Sequence, residues 1–338
     1  MVNENNKAKK KKTPRPGRSS KKVKKPTRIK YFSFFFFWGF IGKGNHMSER
    51  ITGHTELIGL MAYPIRHSSS PAMQNEAFAK LGYDYAYLAF EVDANEIEAG
   101  VQALRTLKMR GANISMPNKT LVGKYLDELT PAAQMCGAVN TVVNDNGHLT
   151  GTITDGVGFM QAAADNGISP IGKKMTIVGC GGAGTAIQIQ AALDGVSEIS
   201  IFNRKDDFYH RGEETVQKIN SQTSCKATLY DLADLQKLKE EMDDSYLFVN
   251  ATGVGMKPLE GQSVVPDKSY FRPELNVVDI IYAPRLTKLR EMAKEAGCKT
   301  MNGLGMMLFQ GSAAFELWTG EPMPIEYMKE TLGIDYDE

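Results

Sequence analysis

The run Lys174 to Val178 leads directly into Gly179-Cys180-Gly181-Gly182-Ala183-Gly184, and Thr185 to Leu193 then has helical composition. Few folds accept that order. A buried strand that turns sharply onto a helix needs glycine where the chain bends and where strand and helix touch. The helix start then presents backbone N–H groups and the positive end of the helix dipole, which together favour a phosphate. Gly-x-Gly-Gly-x-Gly alone is a weak pattern, but in strand–turn–helix context it reads as a dinucleotide site formed by Gly179, Gly181, Gly182 and Ala183. The next strand, Ile199 to Asn203, ends in Asn203-Arg204-Lys205-Asp206. That is about 20 residues on, where the ribose is read. Asp206 there favours NAD, by accepting from the ribose hydroxyls. Arg204 and Lys205 offer the alternative of holding the 2′-phosphate of NADP.

A second signal lies about sixty residues upstream: Asn113-Ile114-Ser115-Met116-Pro117-Asn118-Lys119 places one lysine just after a proline turn. The two together suggest a dehydrogenase whose acid/base lysine belongs to a different domain from its cofactor. The 338 residues allow two domains. Strands are expected at Leu57–Met61, Tyr85–Val92, Gly111–Met116 and Val139–Val143. Helices are expected over 71–81, with Ser70 as N-cap and Pro71 in the first turn, over 95–108 through Ile97, Val101, Leu104 and Leu107, and over Lys119–Leu129. After Asp155 the alternation resumes: a helix over 156–166, buried strands at Tyr246–Ala251 and Val277–Ile281, and closing helices over 302–318 and 324–332. Such alternation predicts an α/β fold with mostly parallel sheet.

The net charge of +1 hides two unlike parts. Residues 1–46 hold 14 of the 40 basic residues and one acidic residue, leaving 26 basic and 38 acidic in the remainder. The acidic body carries no nucleic-acid footprint, so no nucleic-acid partner is expected. Lys7 to Lys30 is too polar to build a core, and the apolar run Tyr31 to Ile41 is shorter than the roughly 17–25 residues of a membrane helix. Met47 therefore reads as the functional start, with 1–46 as a tail outside the fold and a membrane or nucleic-acid tether as the alternative. Cys136, Cys180, Cys225 and Cys298 show neither metal-ligand nor disulfide spacing. They predict no metal, reduced thiols and a cytoplasmic location.

Further motifs occur in a fixed order: His67-Ser68-Ser69-Ser70-Pro71, Asn113 to Lys119, Gly137-Ala138-Val139-Asn140-Thr141, Thr154-Asp155-Gly156, and Asn302-Gly303 with Gln310-Gly311. With the glycine loop, they make the chain resemble the shikimate dehydrogenases over about 55 to 335. Ala62 to His67, Met116 to Lys119 and Asn203 to Phe208 are most similar to the quinate/shikimate dehydrogenase branch. The resemblance implies an N-terminal α/β substrate domain (47–154, completed by 302–338), a Rossmann NAD(P) domain (155–301) and a cleft between them. It implies reversible oxidation of the shikimate C3 hydroxyl to 3-dehydroshikimate within aromatic amino-acid biosynthesis. Quinate is the alternative substrate, and a cofactor-sensing regulatory protein the non-enzymatic one.

By the same resemblance, Lys119 faces the reacting hydroxyl and Asp155 orients it. Proton transfer by a lysine asks for partial desolvation or a local field. Ser68 and Ser70 are matched to the carboxylate, and Ser115, Asn140, Thr154, Tyr282 and Gln310 to the rest of the substrate. Thr252, Ile280 and Gly303 lie along the nicotinamide path. Relatives often carry Asn where this chain has Ile153, a lost polar contact expected to reshape substrate discrimination. The small-molecule substrate is the one partner expected, with no membrane partner and a monomer or homodimer as the assembly.

Overall fold

Two six-stranded sheets organise residues 51–336, the part of the chain described by this computed structural model. The reading of residues 1–46 lies outside it. The first sheet contains β1 (Glu56–Ala62), β2 (Tyr85–Glu91), β3 (Gly111–Ile114), β4 (Glu128–Leu129), β5 (Thr141–Asp145) and β6 (His148–Thr152), in the order β2-β1-β3-β5-β6-β4. The second contains β7 (Lys174–Val178), β8 (Glu198–Asn203), β9 (Lys226–Asp231), β10 (Leu247–Asn250), β11 (Asn276–Asp279) and β12 (Thr300–Met301), in the order β12-β11-β10-β7-β8-β9. The helices are α1 (Ser70–Leu81), α2 (Ile97–Thr106), α3 (Pro131–Cys136), α4 (Asp155–Asp165), α5 (Gly182–Leu193), α6 (Tyr209–Gln222), α7 (Leu235–Asp243), α8 (Lys288–Glu295), α9 (Leu304–Thr319) and α10 (Ile325–Leu332).

The second sheet is parallel throughout. Its order is that of a doubly wound dinucleotide fold, reversing direction between β7 and β10. Four of the five residues of β7 are buried, as expected of a strand covered on both faces. The first sheet is parallel in three of its five pairings, in keeping with the expected mostly parallel pairing, but β5 runs antiparallel to both β3 and β6. The cause is local. Asn146 and Gly147 both take positive φ (52° and 100°) and close a two-residue hairpin.

Two expectations fail for physical reasons. Residues 119–129 are not a helix but two 3-10 turns, Asn118–Thr120 and Val122–Tyr125, followed by β4. Asp127 draws this segment to the sheet by accepting the Leu149 N–H at 2.7 Å. Leu126 and Leu129 then fill the space over Gly151, where a Cβ would sit 2.5 Å from Leu126 Cδ1. Ser70 is not a cap. Ser69 holds the cap position without a side-chain bond, and the Ser70 N–H donates to Ser68 Oγ at 3.2 Å.

Helix α9 ties the two sheets together. It packs along α4, which also packs on α5. At its far end, fully buried Trp318 donates from Nε1 to the Val142 carbonyl at 3.1 Å. Gly111 makes room, since a Cβ there would lie 2.5 Å from Trp318 Nε1. Truncating such an aromatic typically costs about 3–5 kcal/mol. At the near end, a Cβ on Gly158 would strike the Gln310 backbone N at 2.4 Å, so α4 and α9 are in backbone contact beside the site.

Candidate active site

The carboxyl ends of β1, β3 and β6 and the amino end of β5 share one edge of the first sheet, because β5 is antiparallel to its neighbours. That edge forms most of a cavity of about 370 Å³. Ser68 and Ser70, after β1, line one part of it, and Asn113, Ser115 and Lys119 reach it from β3 and the turn beyond. Asn140 and Asp155 line it from the ends of β5 and β6, and Gln310 from α9. Ile280, Tyr282 and Gly303 close it from the loops after β11 and β12.

Lys119 Nζ donates to Asp155 Oδ2 at 2.6 Å, with the lysine side chain 25% exposed and the carboxylate 13%. Asp155 is the first residue of α4, where the helix dipole favours a negative charge. The lysine backbone is anchored as well: the Val139 N–H donates to the Lys119 carbonyl at 2.8 Å. Asn140 completes the group by donating from Nδ2 to Asp155 Oδ1 at 3.1 Å. Its amide orientation follows from an unambiguous donor, the Thr154 N–H, which gives its hydrogen to Asn140 Oδ1 at 2.8 Å. Both carboxylate oxygens of Asp155 thus have a donor. The arrangement can exchange a proton with a hydroxyl placed at Lys119 and keep the resulting charge partnered.

Not every predicted residue reaches this cavity. Thr154 is 2% exposed and lies behind Asn140, with its hydroxyl 3.0 Å from Asn140 Nδ2. Ile153 is buried in the core at 4% exposure and is not a cavity wall, so the Asn-to-Ile departure does not reshape the cavity lining. Tyr282 lines the mouth and is half exposed. Leu60, Ile65 and Met307 were not read from the sequence as part of the site, yet they supply its apolar surface. They are ordinary core-type residues whose sequence context carries no signal.

A second cavity, about 350 Å³, lies at the carboxyl ends of the parallel strands and is lined by Gly179, Gly181, Asn203, Arg204, Asp206 and Thr252. Gly179 has φ of +115°, and a Cβ there would meet the Ala251 carbonyl oxygen at 2.7 Å. A Cβ on Gly184 would meet the Gly179 carbonyl oxygen at 2.2 Å. Those two glycines serve the fold. Gly181 and Gly182 differ, since a Cβ at either would meet nothing within 4 Å. Neither conformation nor protein packing requires glycine there, and the space beside them is open. No side chain caps α5, so its N-terminus is open to an anion. The cradle therefore fits a dinucleotide pyrophosphate.

At the ribose end, Asn203 latches the loop. It accepts the Cys180 N–H at 3.0 Å and donates to Asp206 Oδ1 at 3.0 Å. Asp206 Oδ1 also accepts the Phe208 N–H at 3.0 Å. That oxygen is therefore engaged in holding the turn, a role the sequence reading did not foresee. Arg204 is exposed beside it, while Lys205 lies 3.6 Å from Asp231 and does not line the cavity. Nor do Gly182 and Ala183; Ile280 and Gly303 line the first cavity instead. Beneath the cleft, Asp279 is fully buried and accepts from Asn250 Nδ2 at 3.0 Å, the Ile281 N–H at 3.2 Å and Thr287 Oγ1 at 2.7 Å. Burial pushes its carboxyl up to about 6, against the pull of these donors. Among the described residues no group of three His, Cys, Asp or Glu side chains could hold a metal ion, and no helix is long and apolar enough to cross a membrane.

Residues 60–142 match the model for the shikimate dehydrogenase substrate binding domain, and 303–332 that for the shikimate 5′-dehydrogenase C-terminal domain. A Listeria monocytogenes protein named shikimate dehydrogenase (NADP(+)) is 62% identical over 288 residues, covering 85% of this chain and 99% of that one. The chain belongs to the shikimate dehydrogenase family. A Streptococcus uberis relative with the same name is 54% identical over 295 residues, covering 86% of this chain and 100% of its own. The crystal structure of shikimate 5-dehydrogenase from Listeria monocytogenes, in complex with shikimate and NAD, superposes with a TM-score of 0.84. It shares 62% identity and covers 85% of this chain and all of that one. Quinate dehydrogenase from Corynebacterium glutamicum, in complex with NAD, has the same fold at a TM-score of 0.74 and 28% identity, covering 83% and 99% of the two chains.

Proposed function

We propose that this family member catalyses the reversible oxidation of the shikimate C3 hydroxyl to 3-dehydroshikimate, with Lys119 and Asp155 handling the hydroxyl proton. The observation that carries the reading is the 2.6 Å Lys119–Asp155 pair in a cavity that Ile280 and Gly303, from the loops after β11 and β12, also line. Ser68 and Ser70 would donate hydroxyl hydrogens to the substrate carboxylate. Asn140, Ser115 and Gln310 would orient the ring hydroxyls. A bound dinucleotide supplies the hydride acceptor. In oxidation the C3 hydroxyl gives its proton to the Lys119–Asp155 pair, and in reduction the pair returns it. Holding both reactants across one cavity makes the step effectively unimolecular.

For the cofactor we infer NADP over NAD, which revises the preference read from Asp206. Asp206 Oδ1 is occupied by its own loop, while Arg204 stands exposed at the cleft. The Listeria and Streptococcus relatives carry NADP(+) in their names. NAD in the Listeria crystal structure keeps it as the second reading. Four buried cysteines in thiol form are compatible with a reducing, cytoplasmic location.

Initial rates with NAD⁺ and NADP⁺, each with shikimate and with quinate, test the reading. Turnover of shikimate well above quinate, with the higher kcat/KM for NADP⁺, is expected. Faster quinate turnover would reassign the substrate, and none in any combination would remove the reading.

A further inference from the structure

The phenol of Tyr87 is fully buried, on the far side of Asn113 from the cavity floor, and donates to Asn113 Oδ1 at 2.7 Å. The ring lies tilted by 52° against Trp318, with centroids 6.0 Å apart, and its backbone is clamped in both directions by the Asn75 amide. Asn113 donates from Nδ2 to the Asn140 backbone carbonyl at 3.1 Å and to Thr141 Oγ1 at 3.0 Å. The carbonyl can only accept, so the amide cannot be turned over, Oδ1 must face Tyr87, and Tyr87 must be the donor. Thr141 Oγ1 passes its hydrogen to Asn140 Oδ1 at 3.0 Å, and Asn140 Nδ2 donates to Asp155 Oδ1 at 3.1 Å. Asp155 Oδ2 receives Lys119 at 2.6 Å. Every link from the phenol to the carboxylate therefore donates in one direction, and each amide in it is oriented by a backbone group.

We propose that Tyr87 is a positioning residue for the reaction: its O–H heads the one-way chain through Asn113, Thr141 and Asn140 and so steadies and polarises the hydrogen bond that holds the Asp155 carboxylate. Burial pushes the Tyr87 phenol well above its ordinary range, so it stays protonated and donates throughout the working pH range. Aligned hydrogen bonds in a low-dielectric interior reinforce one another, so a break at the far end is felt at the near end. The inference rests on the reading of Lys119 and Asp155 given above.

The test compares Tyr87→Phe, Thr141→Val, the double variant and Met328→Ala, with rates taken at a temperature where each is folded. Met328 is fully buried in the same core as Tyr87, on α10, which carries no site residue, and reports simple loss of packing. Tyr87→Phe is expected to lower kcat for shikimate oxidation about tenfold, since small misplacements of catalytic groups are costly. KM for the dinucleotide should not move. Thr141→Val should do the same, and the double variant should lose little more than either alone, because both cut one chain. Met328→Ala should lower Tm with kcat and both KM values unchanged. Wild-type kcat in Tyr87→Phe, or simply multiplicative losses in the double variant, would overturn the proposal. If Tyr87→Phe fails to fold, Thr141→Val with wild-type kcat would overturn it alone. Full turnover in Lys119→Ala would instead overturn the underlying reading of the acid/base pair.

Discussion

The two cavities are built from different materials. The substrate-side cavity is lined by polar side chains: three serines, three amides, a lysine and a carboxylate converge on it, and Lys119, Asn140 and Asp155 are bonded to one another. The second cavity brings glycine backbone to its lining, at Gly179, Gly181 and Gly253, beside the uncapped start of α5. The substrate offers several distinct polar groups that must each be told apart, which takes distinct side-chain donors and acceptors. A pyrophosphate needs only N–H groups and a positive potential, which backbone supplies wherever it can come close. A site of the first kind is broken by removing atoms, and one of the second kind by adding them.

The sharpest break should come on the side-chain half. Lys119→Ala should lower kcat by about 10³-fold, within the range for a positioned acid/base group. Dinucleotide affinity, measured by fluorescence titration, should stay near wild type. Adding one carbon in the other half should separate two kinds of glycine. Gly184→Ala must displace the Gly179 carbonyl and should destabilise by about 1–3 kcal/mol in thermal unfolding. Gly181→Ala should leave Tm unchanged and raise the dinucleotide KM. Equal stability loss in both variants would erase the distinction between packing and ligand glycines.

Asp279, beneath the second cavity, gives a pH signature. Its carboxyl is raised in the folded state to about 6, so the native protein holds this proton more tightly than the unfolded chain does. The associated stability is fully present below the unfolded value near 3.8 and is lost as pH rises through about 6. Relative to wild type, Asp279→Asn should therefore gain on the order of 1–2 kcal/mol between pH 4 and 7. Parallel denaturation profiles for the two proteins would contradict this. The smallest effect should be at the ribose end. Arg204→Ala should cost about tenfold in kcat/KM for NADP⁺, as loss of one charge-assisted contact does, and leave NAD⁺ nearly unchanged.

Much of the fold could be read locally. The span of β7 and the start of the glycine loop were predicted as found, because a strand buried on both faces leaves a continuous apolar run and glycine marks the bend. Helix α1 was found within a residue, although its cap was misplaced. The hairpin between β5 and β6 went unread despite its Asn146-Gly147 signal. Residues 119–129 misled because their composition is helical, while the contacts that override it come from Leu149 and Gly151, some twenty residues away.

The candidate site divides in the same way. The sequence by itself determined which chemical groups are available: a lysine after a turn, an aspartate opening a helix, glycines between a strand and a helix. These depend on local backbone form and residue type. Only the tertiary structure decided that Lys119 meets Asp155 across 36 positions, that Thr154 and Ile153 stay behind the cavity wall, and that Asp206 turns one oxygen into its own loop. It also decided that Tyr87, a residue with no motif around it, stands at the head of the hydrogen-bond chain to Asp155. Hydrogen bonds act over about 3 Å and depend on direction. Whether two groups far apart in sequence satisfy that condition is settled by how sheets and helices pack, not by either residue's neighbours in the chain.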